Sequence, residues 1–494
     1  MATKPPPGGK PEAIRNKQHS RLFMWFERRT GLNKLLHEAL DEPIPGGARY
    51  AYIFGSGLLF VFLSQFITGI FLALYYVPSV SDAHVTVAYI TKVVAAGSFL
   101  RSLHVYGASA MVIIVIMHLA QTFTYGSYKG RRELLWVSGT ILFTLVMGMA
   151  FTGYLLPWDQ KSYFATAVGT SVVSEVPFVG GFIERLMRGG TQIGTLTLSR
   201  FYVMHVFYIP ALIFLFAAIH IYLFRKAGAA GPISESPVNP KQKTESFYPR
   251  QLLMDLGLAL LLVVALGFAA YFAPAALGPL ANPADTQYLP RPEWYFRPLF
   301  EWLKIWHGQG EFVRIVIVPG IIVVLFVGLP FIDRRLERRP WRRPVAMGIF
   351  SVVFISIISL GAYSYYQDSH DKYVATQLAQ QHRMEEKYMK QPFKPQMVGA
   401  AAVLQAKPSA VASPLATEGK KIFQSHSCYA CHGEGAVGTP IAPKLIGIGQ
   451  KFSTSQMEHL FKHPLPAMDK GGMPHFTFTP DQVKALRTYL DSLQ

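Results

Sequence analysis

Cysteine is almost absent: the 494 residues contain two, Cys428 and Cys431, both in a single CYACH stretch. A disulfide framework is thereby excluded, and no thiols are left elsewhere to hold an iron–sulfur cluster. Acidic residues are scarce as well, 29 against 47 Lys and Arg, for a net charge of +18. In a soluble chain that balance would suggest nucleic acid, but here the basic residues gather in particular loops between long apolar runs, so the pattern is topological. No short apolar segment with a small-residue cleavage site precedes the first run, so no removable signal peptide is expected. What the chain has in abundance is apolar surface, 51% hydrophobic residues and a mean hydropathy of +0.25, which places it among membrane proteins with appended soluble parts.

Runs long enough to span a bilayer lie near 51–77, 101–125, 134–156, 201–224, 252–272, 312–332 and 345–366. The reading is therefore seven transmembrane helices. Ahead of them, 1–48 is a Pro/Gly/Lys tail followed by a basic amphipathic stretch suited to a membrane surface. Positive charge falls in the N-terminal tail, in 129–132, in 225–250 and in 334–343. The positive-inside rule puts these on the cytoplasmic side, and an odd number of crossings then puts the C-terminal region outside.

Four histidines sit inside these runs: His104 and His118 are 14 apart, His205 and His220 are 15 apart. At about 100° and 1.5 Å per residue, each step is roughly four turns, which places each pair on one helix face some 21–23 Å apart. A single intramembrane histidine can simply hydrogen-bond a neighbouring carbonyl. Four at matched spacings point to two metal centres, one per leaflet, with imidazole as the usual haem-iron ligand. Gly55 and Gly69, and Gly139 and Gly153, repeat at the same 14-residue interval in the neighbouring runs. Lacking a Cβ, they fit two porphyrin edges against helix backbones; helix packing through small residues is the alternative for any one of them.

The stretches WFERR (25–29), RSLH (101–104), RELLWVSG (132–139), FTGYLLPWDQ (151–160), SRFYVMH (199–205), FRKAG (224–228), ANPADTQYLPRPEWYF (281–296) and RRPVAMGIF (342–350) resemble the cytochrome b subunit of quinol:cytochrome c oxidoreductases, closest to the cytochrome b6 plus subunit IV arrangement. The resemblance covers residues 20 to 365 in order. It implies an all-α fold of seven transmembrane helices, a four-helix dihaem bundle (49–233) and a three-helix subunit IV-like part (234–366). It also implies two non-covalent b haems, an outer, low-potential one on His104 and His205 and an inner, high-potential one on His118 and His220. Quinol would be oxidised at the outer face by Glu293 and Tyr295 of the PEWY stretch, with a separate Rieske iron–sulfur subunit, and quinone reduced at the inner face. Partners would be the quinone pool, a downstream cytochrome c or oxidase, and a second copy in a dimeric complex in the bacterial inner membrane. Arg101, one turn before His104, is either a haem-propionate partner or a snorkelling interfacial arginine. Arg225 and Lys226 are either an inner quinone site or part of the positive-inside pattern. Where the b6 pattern carries a cysteine for an extra haem, this chain has Ile53, so that haem is absent or held without the bond. The competing reading is a non-bifurcating dihaem subunit linking a dehydrogenase to quinone, which needs neither PEWY nor a Rieske partner.

Residues 367–414 turn polar and then Ala/Pro/Val-rich, the composition of a semi-flexible tether. Beyond it, 415–494 reads as a class I-like monohaem cytochrome c domain. Cys428 and Cys431 would take one haem c covalently and His432 would bind its iron; a zinc knuckle lacks a second ligand pair. Met473 is the expected sixth ligand, with Met457 and Met468 as competitors.

Overall fold

A computed structural model describes residues 21–233, 243–283, 285, 288–305, 312–394, 413–426, 428, 432, 436, 444–464, 468, 473 and 475–493. Seven helical segments are long and apolar enough to cross a membrane: Tyr50–Ala73, Gly97–Thr124, Glu133–Tyr154, Thr195–Ala227, Arg250–Phe272, Ile315–Ile332 and Pro344–His370. Two short amphipathic helices, α1 (Arg21–Thr30) and α2 (Leu32–Leu40), precede them and expose Leu22, Trp25 and Phe26.

The first four spans form a bundle from α3 (Ile53–Ala73), α5 (Gly97–Thr124), α6 (Glu133–Tyr154) and α10 (Ile209–Ala227), the last entered through α9 (Thr195–Val203) and one π turn, Met204–Tyr208. Surface helices fill the connections: α4 (Ala83–Lys92) before α5, and α7 (Gln160–Ser174) and α8 (Gly180–Arg188) between α6 and α9. Packing is pairwise, α3 on α5 and α6 on α10, with α11 (Arg250–Phe272) laid against α3 and α5. The middle of the bundle is one apolar layer, in which Val61, Phe62, Met111, Val115, Val146 and Ile213 are buried together.

The third part of the membrane domain is α11, the short α12 (Arg297–Ile305), α13 (Val318–Ile332) and α14 (Pro344–His370). The connections gather at opposite ends. At one end Arg338, with no exposed surface, donates to the carbonyls of Tyr125, Ala230 and Gly231, while Arg343 donates to those of Phe123 and Thr124. The basic loops are thus consumed in tying three connections into one plate. The N-terminal segment joins that plate through a two-stranded antiparallel ribbon, β1 (Pro43–Pro45) with β2 (Thr244–Ser246), in register Ile44 to Glu245.

The tether expected from residue 367 begins as ordered structure. α14 runs on to His370, and α15 (Lys372–Lys390) follows after one residue, its first turn capped by the Asp371 carboxylate accepting from the N–H groups of Tyr373 and Val374. α15 then lies back on the membrane domain: Lys92 donates to the carbonyls of Tyr388 and Gln391, and Tyr388, Met389 and Phe393 pack on Val87, Ala88 and Leu277. A polar composition concealed an amphipathic helix with one stripe to bury. The Ala/Pro/Val-rich stretch 395–412 lies outside the described residues.

The C-terminal domain is built on the crossing of α16 (Pro414–Ser425) and α18 (Pro480–Ser492), with α17 (Thr454–Lys462) beside them and Phe423, Met457, Leu486 and Tyr489 in its core. The crossing is tight because of Gly419: a Cβ there would stand 2.0 Å from the Ala485 carbonyl oxygen. A backbone atom has no rotamer to yield with, so Gly419→Ala should cost at least the ~1–3 kcal/mol typical of overpacking. Pulse proteolysis of the full chain in denaturant should show the C-terminal domain cleaved at a lower concentration; an unchanged midpoint would mean the helices separate freely.

Candidate haem and quinol sites

The spacing of 15 between His205 and His220 exceeds the 14 of the first pair, and an ideal α-helix would rotate the two pairs about 100° relative to each other. The π turn at Met204–Tyr208 absorbs the extra residue, because an i→i+5 turn inserts one position without advancing the face. As a result His104 on α5 and His205 meet across the seam between their helices, with ring centroids 6.1 Å apart at 74°.

Each histidine has a glycine opposite. A Cβ on Gly55 would lie 3.9 Å from Cε1 of His118, on Gly69 3.3 Å from His104, on Gly139 3.2 Å from His220 and on Gly153 2.5 Å from His205. Each glycine expected at a porphyrin edge thus stands beside the imidazole of its own tier. The two His–Gly tiers bracket the apolar middle layer of the bundle.

The second ring nitrogen fixes which face of each imidazole is open. His205 Nδ1 meets the Met149 carbonyl at 3.1 Å, which can only accept. His104 Nδ1 meets Thr68 Oγ1 at 3.0 Å and His220 Nδ1 meets Ser138 Oγ at 2.9 Å. Both hydroxyls donate to backbone carbonyls, of Ser64 and Leu135, and so accept from the imidazole. Three rings thus carry their proton on Nδ1 and leave Nε2 with its lone pair, the tautomer an iron ligand requires. His118 Nδ1 is buried with no hydrogen-bond partner among the described residues. Sequence reading had no access to Thr68, Ser138 or Met149, since hydroxyls and carbonyls of apolar helices look like packing. The residues present fit two bis-histidine haems.

Other expected site residues have different neighbours. Arg101 gives both terminal nitrogens to the carbonyls of Ala275 and Ala276, at 2.8 and 2.6 Å, so it holds the segment after α11. Arg225 bonds Glu42 at 3.2 Å and the Glu38 carbonyl at 3.1 Å, and the Lys226 ammonium stands 5.8 Å from the Tyr222 ring. In the C-terminal domain Cys431 lies outside the described residues. Cys428 packs against the core there, Met457 is buried in that core, and Met473 donates its N–H to the Met468 carbonyl at 3.0 Å.

At the end of the bundle opposite the basic plate, the LPWDQ turn is stitched to residues 278–282. Trp158 adopts φ 52°, a left-handed conformation rare for a bulky residue. Asp159 accepts from the N–H groups of Ser162 and Gly278, and Gln160 donates to Asp285. The next residue, Lys161, places its ammonium 2.6 Å from Oε1 of Glu293. Two arginines flanking Glu293 are fixed too: Arg291 and Arg297 both bond Asp368 on α14, at 2.8 and 2.7 Å. Tyr295 packs against the apolar layer of the bundle, and burial pushes its phenol above the ordinary value. Lys161 and Asp368 were missed in the sequence; their partners lie far along the chain.

The family profile for cytochrome b/b6/petB matches residues 39–228, that for cytochrome b(C-terminal)/b6/petD matches 280–382, and that for cytochrome c matches 416–494. The cytochrome bc complex cytochrome b subunit of Chlorobaculum thiosulfatiphilum is 32% identical over 74% of this chain and 86% of its own length. The menaquinol:cytochrome c reductase cytochrome b subunit of Geobacillus thermodenitrificans is 36% identical over 43% of this chain and 99% of its own. Cytochrome b/c1 of Bradyrhizobium diazoefficiens is 34% identical over 69% of this chain and 50% of its own. Among solved structures, a hyperthermophilic respiratory Complex III matches with a TM-score of 0.63 at 26% identity, over 74% of this chain and 98% of that one. With seven spans, paired His–Gly tiers and these relatives, the chain belongs to the cytochrome b family of the bc complexes, a membrane oxidoreductase subunit carrying its own C-terminal cytochrome c domain.

Proposed function

We propose that the chain is the electron-transfer core of a quinol:cytochrome c oxidoreductase with two b haems and one covalent c haem. The observation that carries this reading is the pair His104 and His205 facing across the helix seam at 6.1 Å, in a tier repeated by His118 and His220. When bound there, haem supplies one-electron carriers at two depths of the membrane. The chain's residues do the rest: the tiers hold the rings, and the apolar layer between keeps water out.

Quinol binds beside Glu293 and Tyr295, where the Glu293 carboxylate takes a hydroxyl proton as general base. The neutral Tyr295 phenol, held above its usual range by burial, is a hydrogen-bond donor there. The basic plate faces the cytoplasm by the positive-inside rule, so Glu293 and the cytochrome c domain face outward and the proton leaves on that side. A quinone site at the inner end would draw on Arg225 and Lys226. The first high-potential acceptor is a Rieske iron–sulfur protein on a separate subunit, since both cysteines of this chain are taken by the CYACH stretch. Cys428, Cys431, His432 and Met473 make the terminal relay to a downstream cytochrome c or oxidase.

A redox-titrated optical spectrum of the purified complex tests the core of this. Two b-type centres of different potential and one c-type centre are expected; a sample with c-type absorbance alone would overturn it.

A further inference from the structure

We propose that Lys161 is the positioning cation of the quinol-oxidising site: it pairs with the Glu293 carboxylate and keeps it turned toward the LPWDQ turn until a quinol proton neutralises the carboxylate and releases it. This rests on the assignment of Glu293 as the base.

The geometry is that of a pair at a boundary. The ammonium and carboxylate are 2.6 Å apart, and their side chains keep 37% and 30% of their exposure. Neither is locked into the protein interior, so the contact can break without stranding a dry charge. Lys161 is brought there by Asp159 and Gln160, whose bonds to Gly278 and Asp285 fix the turn.

The groups facing the ammonium determine its charge balance once Glu293 becomes neutral. From α6 comes the Tyr154 ring, 5.7 Å away. From the loop before α12 come Glu293, with Tyr295 beside that carboxylate, and Tyr288, which faces Asp159 and Glu385; from α15 comes Glu385; from its own turn comes Asp159. Burial by itself would lower the lysine, but Glu293, Asp159 and Glu385 together hold it above the ordinary value. Three carboxylates surround one ammonium. Once the quinol hydroxyl proton has moved onto Glu293, the lysine keeps its own proton and remains balanced by Asp159 and Glu385. The neutral carboxyl group has then lost its strongest partner and is free to rotate. α15, the ordered start of the expected tether, thus completes the site: Glu385 reaches it from the segment leading to the cytochrome c domain.

The test is a pH profile of kcat/KM for a short-tailed quinol, assayed as both benzoquinol and naphthoquinol, with ferricytochrome c as acceptor and the assembled complex in mild detergent. An ammonium beside a carboxylate opposes its protonation, so without it the base is lost at a higher pH. Lys161→Met should move the acid limb upward by about one pH unit, the lower end for a partly solvated pair. Lys161→Arg should leave the limb in place, and the b and c haem spectra report that each variant is assembled. Lys161→Gln reads the same limb if the Met variant does not assemble. A wild-type limb in an assembled charge-free variant overturns the role of Lys161 while Glu293→Gln still slows turnover. Full turnover in Glu293→Gln overturns the base assignment and this inference with it.

Discussion

Gly153→Ala should remove the b-type centre of the His205 tier, leaving one b-type centre per c-type centre in the reduced-minus-oxidised spectrum and no quinol:cytochrome c turnover. The new methyl would stand 2.5 Å from Cε1 and 3.0 Å from Nδ1 of His205. A free imidazole could swing away from such a clash, but one bound to iron on Nε2 and to the Met149 carbonyl through Nδ1 has no direction left. With haem bound as proposed, the clash would be relieved only by His205 letting go of it. The other glycines grade the effect, since the same methyl would meet His220 at 3.2 Å, His104 at 3.3 Å and His118 at 3.9 Å. Gly139→Ala and Gly69→Ala should shift potentials and weaken retention, whereas Gly55→Ala adds only ordinary contact and should keep both centres. Full b absorbance at unchanged potentials in Gly153→Ala would mean that the imidazole is not held where the structure places it.

Much of this was legible in the chain because lipid simplifies the reading. A span must be helical and apolar, so the run near 252–272 became α11 at Arg250–Phe272 with almost no room for error. Histidine and glycine at a shared interval showed through because little else in an apolar helix is polar or lacks a Cβ. The pattern did not show the π turn, since backbone hydrogen-bond registry leaves no side-chain signature. Spacing sets depth along a helix but not which group stands across the seam, so the imidazole beside each glycine was not legible either.

Charged side chains were the least readable. Arg101, Arg225 and Lys226 suggest ligand sites by type and place, and the bonds of Arg101 to the carbonyls of Ala275 and Ala276 and of Arg225 to Glu42 and the Glu38 carbonyl of α2 were not legible beside that. At a helix end the local need is to satisfy backbone groups, and that need is invisible until the loops are folded. Lys161 and Glu293 are 132 positions apart. Their meeting depends on the LPWDQ turn docking on 278–282. α15 hid for a related reason: its buried stripe has meaning only against α4 and Leu277.

Glu293→Gln should lower kcat/KM for quinol oxidation by about 10²–10⁴-fold, the range for losing a positioned general base, with every haem spectrum intact. Glutamine keeps the volume and an oxygen that can accept a hydrogen bond, so quinol still docks; what is lost is the group that can carry the proton away. The haem tiers should not respond, because their hydrogen-bond partners Thr68, Ser138 and Met149 stand on α3 and α6 and none of these bonds involves Glu293. Nor should the loop collapse, since Arg291 and Arg297 remain fixed to Asp368, and Lys161 keeps Asp159 and Glu385 as counter-charges. A chain in which Glu293 only held Lys161 in place would behave differently. Its loss would then be matched by Lys161→Met at every pH, with no displaced acid limb in the lysine variant. Loss of a b-type centre in Glu293→Gln would instead make the residue part of the scaffold, because removing a proton acceptor cannot by itself release a haem bound through imidazoles on other helices.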